Sequence, residues 1–132
     1  MRKDIDMPKV TGVEICIAKS VNHLGESEWS VYLINNNLVE LSNVMIVSKG
    51  YDSLDKSGKI TSTLRHMIQE VSEQSVAKVE AITPEVFEFY NEFWVSYYIV
   101  NELFDKKFII TPFKEYELEE IPALELQGRR AE

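Results

Sequence analysis

An all-β sandwich is the fold class this sequence predicts, and three observations predict it. Apolar and polar residues alternate through run after run, turn residues separate the runs, and the runs are short. The clearest case is 92–110: EFWVSYYIV, a two-residue break at Asn101-Glu102, then LFDKKFII. A period of two describes a half-buried antiparallel hairpin. Counted along the chain, the pattern predicts an immunoglobulin-like antiparallel β-sandwich of about seven strands. That domain spans 1–111, and 112–132 forms an acidic C-terminal extension.

The charged opening, MRKDIDMPK, reads as a lead-in arm over 1–9. VEICIA (13–18) alternates and makes the first strand. Residues 20–27 hold Asn22, Gly25 and Ser27, which is loop chemistry. EWSVYLI (28–34) is the second strand, with Trp29, Val31 and Leu33 on one face and Tyr32 and Ile34 on the other. Asn35-Asn36-Asn37 turns the chain, because asparagine tolerates left-handed backbone and bonds its own main chain. VMIVS (44–48) is a short apolar strand ended by Gly50, and YDSLDKSGK (51–59) is a polar loop. Residues 60–71 are ambiguous. Leu64, Met67, Ile68 and Val71 fit a helical stripe, whereas Ile60, Thr61 and Thr63 open like a strand; a strand to about Met67 is favoured. SVAKVEAI (75–82) is another strand, punctuated by Thr83-Pro84, and 85–90 leads to the hairpin.

Composition bounds the function. The chain of 132 residues is long enough for one domain with a real core, and 45% hydrophobic content is that of a globular protein. Fourteen Lys and Arg against 22 Asp and Glu leave a net charge of −8. With no basic stripe, neither nucleic acid nor an anionic membrane is an expected partner. No apolar run approaches the roughly 20 residues of a membrane helix, and the opening has no signal-peptide core. Cys16 is the single cysteine, so no intrachain disulfide framework is expected. A cytoplasmic protein is the expectation.

The hairpin separates two faces. Counting outward from a two-residue loop at Asn101-Glu102 pairs Val100 with Leu103 and, at the far end, Phe93 with Ile110. Phe93, Val95, Tyr97, Ile99, Phe104, Phe108 and Ile110 share the core face. Trp94, Tyr98, Val100, Leu103 and Ile109 share the other with Ser96, Asp105 and Lys107. Large aromatics among a few charges have the composition of a binding surface. Either the C-terminal extension covers this face or a partner does; Trp94, Tyr98, Lys107 and Ile109 are the candidate partner-binding residues.

Catalytic motifs are absent from the sequence. His23 and His66 are the only histidines, and His66 with Glu70 makes at most half a metal site. Cys16, between Ile15 and Ile17, reads as a small buried residue rather than a nucleophile. SLDKSGK lacks both the first Asp and the closing Glu of a calcium loop, and Gly58-Lys59 lacks the upstream glycine of a phosphate loop. There is no serine-hydrolase elbow and no dinucleotide fingerprint. No catalytic residue, metal site or cofactor is therefore expected.

The run from MRKDIDMPKV through VYLINN, VMIVSKGY, TSTLRHMI, NEFWVSYY and LFDKKFIITP resembles a small family of uncharacterised bacterial all-β proteins of about this length. Members have sometimes carried the label phenylalanyl-tRNA synthetase alpha subunit. The residues do not support that label: Arg65 is the only arginine between Arg2 and Arg129, and its setting, TLRHMI, matches neither arginine motif of such an enzyme. The resemblance covers most of the chain and implies a shared fold; QGRRAE at the end departs from it.

The expected function is a non-catalytic protein-interaction module presenting a β-sheet surface to an unidentified protein or to a second copy, as a possible homodimer. The alternative is a small-molecule-binding or enzymatic domain with a pocket near 51–66, where Asp52, Arg65 and His66 flank the least regular region.

Overall fold

The computed structural model describes residues 8–53 and 57–132. Most of the expected lead-in arm, and the middle of the expected 51–59 loop, lie outside the described residues. Nine strands appear among them: β1 (Val13–Val21), β2 (Ser27–Asn35), β3 (Leu41–Tyr51), β4 (Leu64–Val71), β5 (Ser75–Ile82), β6 (Tyr90–Ile99), β7 (Glu102–Ile110), β8 (Glu119–Ile121) and β9 (Leu126–Arg130). A first sheet has the order β5-β2-β1-β9-β8 and a second the order β4-β3-β6-β7. Each pairing is antiparallel, and the two sheets form a sandwich.

Alternation places the core. Val13, Ile15, Ile17, Val31 and Leu33 from the first sheet meet Val44, Ile46, Phe93, Val95, Tyr97, Phe108 and Ile110 from the second. Burying such side chains contributes about 1.5–3 kcal/mol each. A 3₁₀ turn at Pro84–Glu88 adds Phe87, whose ring lies edge-on to Trp29 at 4.7 Å and stacks on Phe113 at 4.5 Å. Asn35 closes the end of β2. Its wholly buried amide donates to the carbonyls of Val39, Val71 and Ser72, and its oxygen accepts the Asn37 N–H at 3.0 Å.

Residues 112–132, expected as an extension along the sandwich, supply β8 and β9 to the first sheet. They also build a second apolar layer on its outer face. Cys16, Ala18, Tyr32 and Ile34 pack there against Ile121, with Leu124 and Leu126 around them. Both faces of β2 are thereby buried. Burial pushes the Cys16 thiol up to about 12, with Glu14 adding to the effect. Arg130 fastens the layer: its Nε donates to Glu14 at 2.9 Å and its Nη1 to Glu119 at 2.8 Å.

Three sequence expectations need correction. There are nine strands among the described residues rather than about seven. The ambiguous stretch is a strand later than expected, starting at Leu64, while Ile60 makes only an isolated bridge to Tyr51. The hairpin turns at Val100-Asn101, so Ile99 faces Glu102 and Phe93 faces Phe108. That register differs by two residues from the expected one, which leaves every side chain on its expected face. Cross-strand ring pairing accounts for the choice: Tyr97 stacks on Phe104 at 5.3 Å. Val100 takes a left-handed φ of 57° in consequence.

Val100 is 85% exposed, so it loses little burial when replaced. A β-branched residue in that region is strained by about 1–2 kcal/mol, partly offset by the entropy that glycine loses on folding. Val100→Gly should raise the unfolding free energy by about 0.5–1 kcal/mol in urea titrations. The Tyr97 hydroxyl is buried without a partner among the described residues, and burial pushes its pKa up to about 12. Tyr97→Phe should stabilise by about 1 kcal/mol in the same measurement, because an unsatisfied buried hydroxyl costs about 1–3 kcal/mol. Gly128 faces the opposite way: an added Cβ would collide with the Ile17 carbonyl oxygen and lie 3.2 Å from Ala18 Cα. Gly128→Ala should cost about 1–3 kcal/mol and raise amide exchange across the β1–β9 pairing.

Candidate functional site

The outer face of the second sheet carries one candidate site. Alternation sends Trp94, Ser96 and Tyr98 outward from β6, with Leu103, Asp105, Lys107 and Ile109 from β7 beside them. Trp94 is 44% exposed and Tyr98 37%. The C-terminal segment does not cover them, since its apolar residues Ile121, Leu124 and Leu126 lie on the other sheet. Lys107 stands opposite Trp94 with its Nζ 6.0 Å from the ring centroid. Ile109 is half-buried, and its main chain exchanges two 2.9 Å hydrogen bonds with Glu132.

Sequence reading missed the other half of this face. Register places Arg65, Val47, Trp94 and Lys107 in one row across the sheet, and Met67, Met45, Ser96 and Asp105 in the next. Met67 is 64% exposed, and Met45 is exposed as well. VMIVS reads as a strand buried on both faces, so Met45 and Val47 gave no outward signal. Met67 fell in the stretch whose period was unresolved. The completed face is a band of aromatic and thioether side chains with Arg65 and Lys107 at its margins and Asp105 beside them.

A second site lies inside the sandwich at its β4/β5 side. β5 carries a bulge: Val31 pairs with Glu80 and Tyr32 with Lys78, leaving Val79 extra. A bulge re-aims side chains, and here Val79 and Glu80, adjacent in sequence, both turn towards the second sheet. Val79 packs on the core. Glu80 Oε1 accepts from the Ser48 hydroxyl at 2.8 Å and stands 2.8 Å from His66 Nε2. This is not the relay of a nucleophilic triad, because Ser48 and His66 both address the same carboxylate oxygen rather than each other.

Beside Glu80 opens a cleft of about 410 Å³. Its floor is Ile17, Val31, Ile82, Val86 and Phe93, the buried Gly50 and Asn91 stand in its wall, and the exposed Thr61 and Ser62 lie at its rim. The three residues named from sequence for a pocket are dispersed. Arg65 faces outward opposite Val47, while His66 faces inward to Glu80. Asp52 lies in the loop beyond β3, with its N–H donating to the Lys59 carbonyl at 3.0 Å. Among the described residues no group of three or more His, Cys, Asp or Glu is placed to hold a metal ion, and no helix is long and apolar enough to cross a membrane.

Comparison of the chain with family models, curated proteins and solved structures gives no match in any of the three.

Proposed function

We propose that the protein is a non-catalytic interaction module of immunoglobulin-like build that pairs with a second copy of itself through the outer face of β4-β3-β6-β7. The build is supported by strand order. Reading β1 to β7 as strands A, B, C, C′, E, F and G gives A-B-E against C′-C-F-G, with β9 and β8 added beside A. A buried, free Cys16 suits a cytoplasmic setting.

The observation that carries the reading is the uncovered face that holds Trp94, Tyr98, Met45 and Met67 on an otherwise acidic chain. Exposed contiguous apolar surface of this kind marks interaction sites, and aromatic anchors dominate their energetics. A second copy is the fitting occupant because the face carries both signs: Arg65 and Lys107 on one row can meet Asp105 of a copy related by a two-fold axis. Elsewhere the net charge of −8 repels a like molecule.

Sedimentation equilibrium over a wide concentration range tests this. The native chain should dimerise, and Trp94→Ala with Tyr98→Ala should weaken the dimer by a hundredfold or more, since hot-spot side chains carry about 2 kcal/mol or more each. At concentrations where the parent is monomeric, the variant's circular dichroism and melting temperature should match it, because both rings lie outside the core. A native chain that stays monomeric at the highest concentration rejects self-pairing.

A further inference from the structure

We propose that the cleft between β5 and the β3–β4 edge is a binding site for a protonated primary amine carrying a short hydrocarbon body. Its volume of about 410 Å³ falls within the roughly 300–1,000 Å³ of small-ligand sites. The apolar floor of Ile17, Val31, Ile82, Val86 and Phe93 accepts hydrocarbon. The polar groups around it decide what the head must be.

Apart from the exposed Ser62 hydroxyl, the side-chain donors turned to the cleft are spent. Ser48 gives its hydroxyl hydrogen to Glu80, and Thr61 gives its own to the Ser62 carbonyl at 3.1 Å. The Asn91 amide uses both hydrogens, on the carbonyls of Val86 at 2.8 Å and Phe89 at 3.1 Å. That pair of carbonyls fixes which end of the amide faces the cleft: the oxygen. Two acceptors are left over. Asn91 Oδ1 takes no donor among the described residues, though the residue is only 9% exposed. Glu80 Oε2 takes none either, because Ser48 and His66 both address Oε1. A carboxylate oxygen and an amide oxygen above an apolar floor ask for a ligand that donates, and a cationic donor gains most.

Two features make this a formed site. The β5 bulge turns Glu80 inward, where Ser48 and His66 hold its orientation. Gly50 leaves room in the wall beside Asn91, since an added Cβ would lie 3.3 Å from Thr61 Cγ2 and 3.5 Å from Asn91 Oδ1. Lys49, also at the rim, belongs to the opposite face of β3 by alternation and so adds main chain there.

Titration of the full chain with n-pentylammonium, followed by amide NMR shifts, tests the proposal. Saturable shifts are expected at 48–50, 61–62 and 80–83. Trimethylpentylammonium, which has no N–H, should bind much more weakly, and pentanoate should produce no shifts there. Glu80→Gln retains an oxygen for Ser48 and should lower n-pentylammonium affinity about tenfold or more, the worth of a charge-assisted hydrogen bond. Should that variant fail to fold, Gly50→Ala fills part of the wall beside Asn91 Oδ1 without touching the charge and should also weaken n-pentylammonium binding. Absence of saturable shifts with n-pentylammonium overturns the proposal. So do equal shifts with pentanoate, or affinity unchanged in folded Glu80→Gln or Gly50→Ala.

Discussion

A sandwich keeps its core dry only where the lateral gaps between its sheets are closed, and this protein closes its two gaps by different means. On the β7/β9 side the main chain does it, through the paired hydrogen bonds of Ile109 and Glu132. On the β4/β5 side no main-chain hydrogen bond joins the two edge strands among the described residues. Side chains do it instead, with Glu80 from the first sheet gripped by Ser48 and His66 from the second. Main-chain pairing seals continuously. Side-chain clasps such as this one, and the Asn35 amide on the Val71 carbonyl at the far end, seal at separate points, and the cleft lies in the space beside Glu80.

The C-terminal segment creates a second asymmetry, between the outer faces. By laying Ile121, Leu124 and Leu126 over Cys16, Tyr32 and Ile34, it gives the first sheet apolar cover on both sides. The second sheet receives no such cover, and Trp94, Tyr98, Met45 and Met67 on its outer face stay exposed. One sheet is thus covered on both faces and the other on its inner face alone. Arg130, held by Glu14 and Glu119, anchors the segment that makes the difference.

Much of this was legible in the sequence, for a reason that also marks the limit. Alternation reports faces, and a face survives any register error of two, so Phe93, Val95, Tyr97 and Phe108 could be assigned inward despite a misplaced turn. Register depends on which residues meet across strands, and the stacking of Tyr97 on Phe104 is invisible to a one-dimensional pattern. The candidate sites divide in the same way. Trp94 and Tyr98 could be read from their own strand; Met45 needed knowledge that β3 has an uncovered face. Glu80 gave no signal at all, because SVAKVEAI alternates regularly and nothing in it announces the bulge at Val79. Gly128 is likewise intelligible only once β1 lies beside it.

The pairing of β1 with β9 has a consequence in time. Glu14 and Arg130, joined across that seam, stand 116 positions apart. At ordinary synthesis rates of roughly 5–20 residues per second, β1 therefore waits on the order of ten seconds for its second neighbour. β2 covers one side early, while the other presents unpaired N–H and C=O groups to whatever approaches. Such long-range closure slows folding, and during the delay a β9 from a neighbouring chain can fill the seam as well as the chain's own. Crowded synthesis would then yield strand-exchanged pairs, joined through the first sheet.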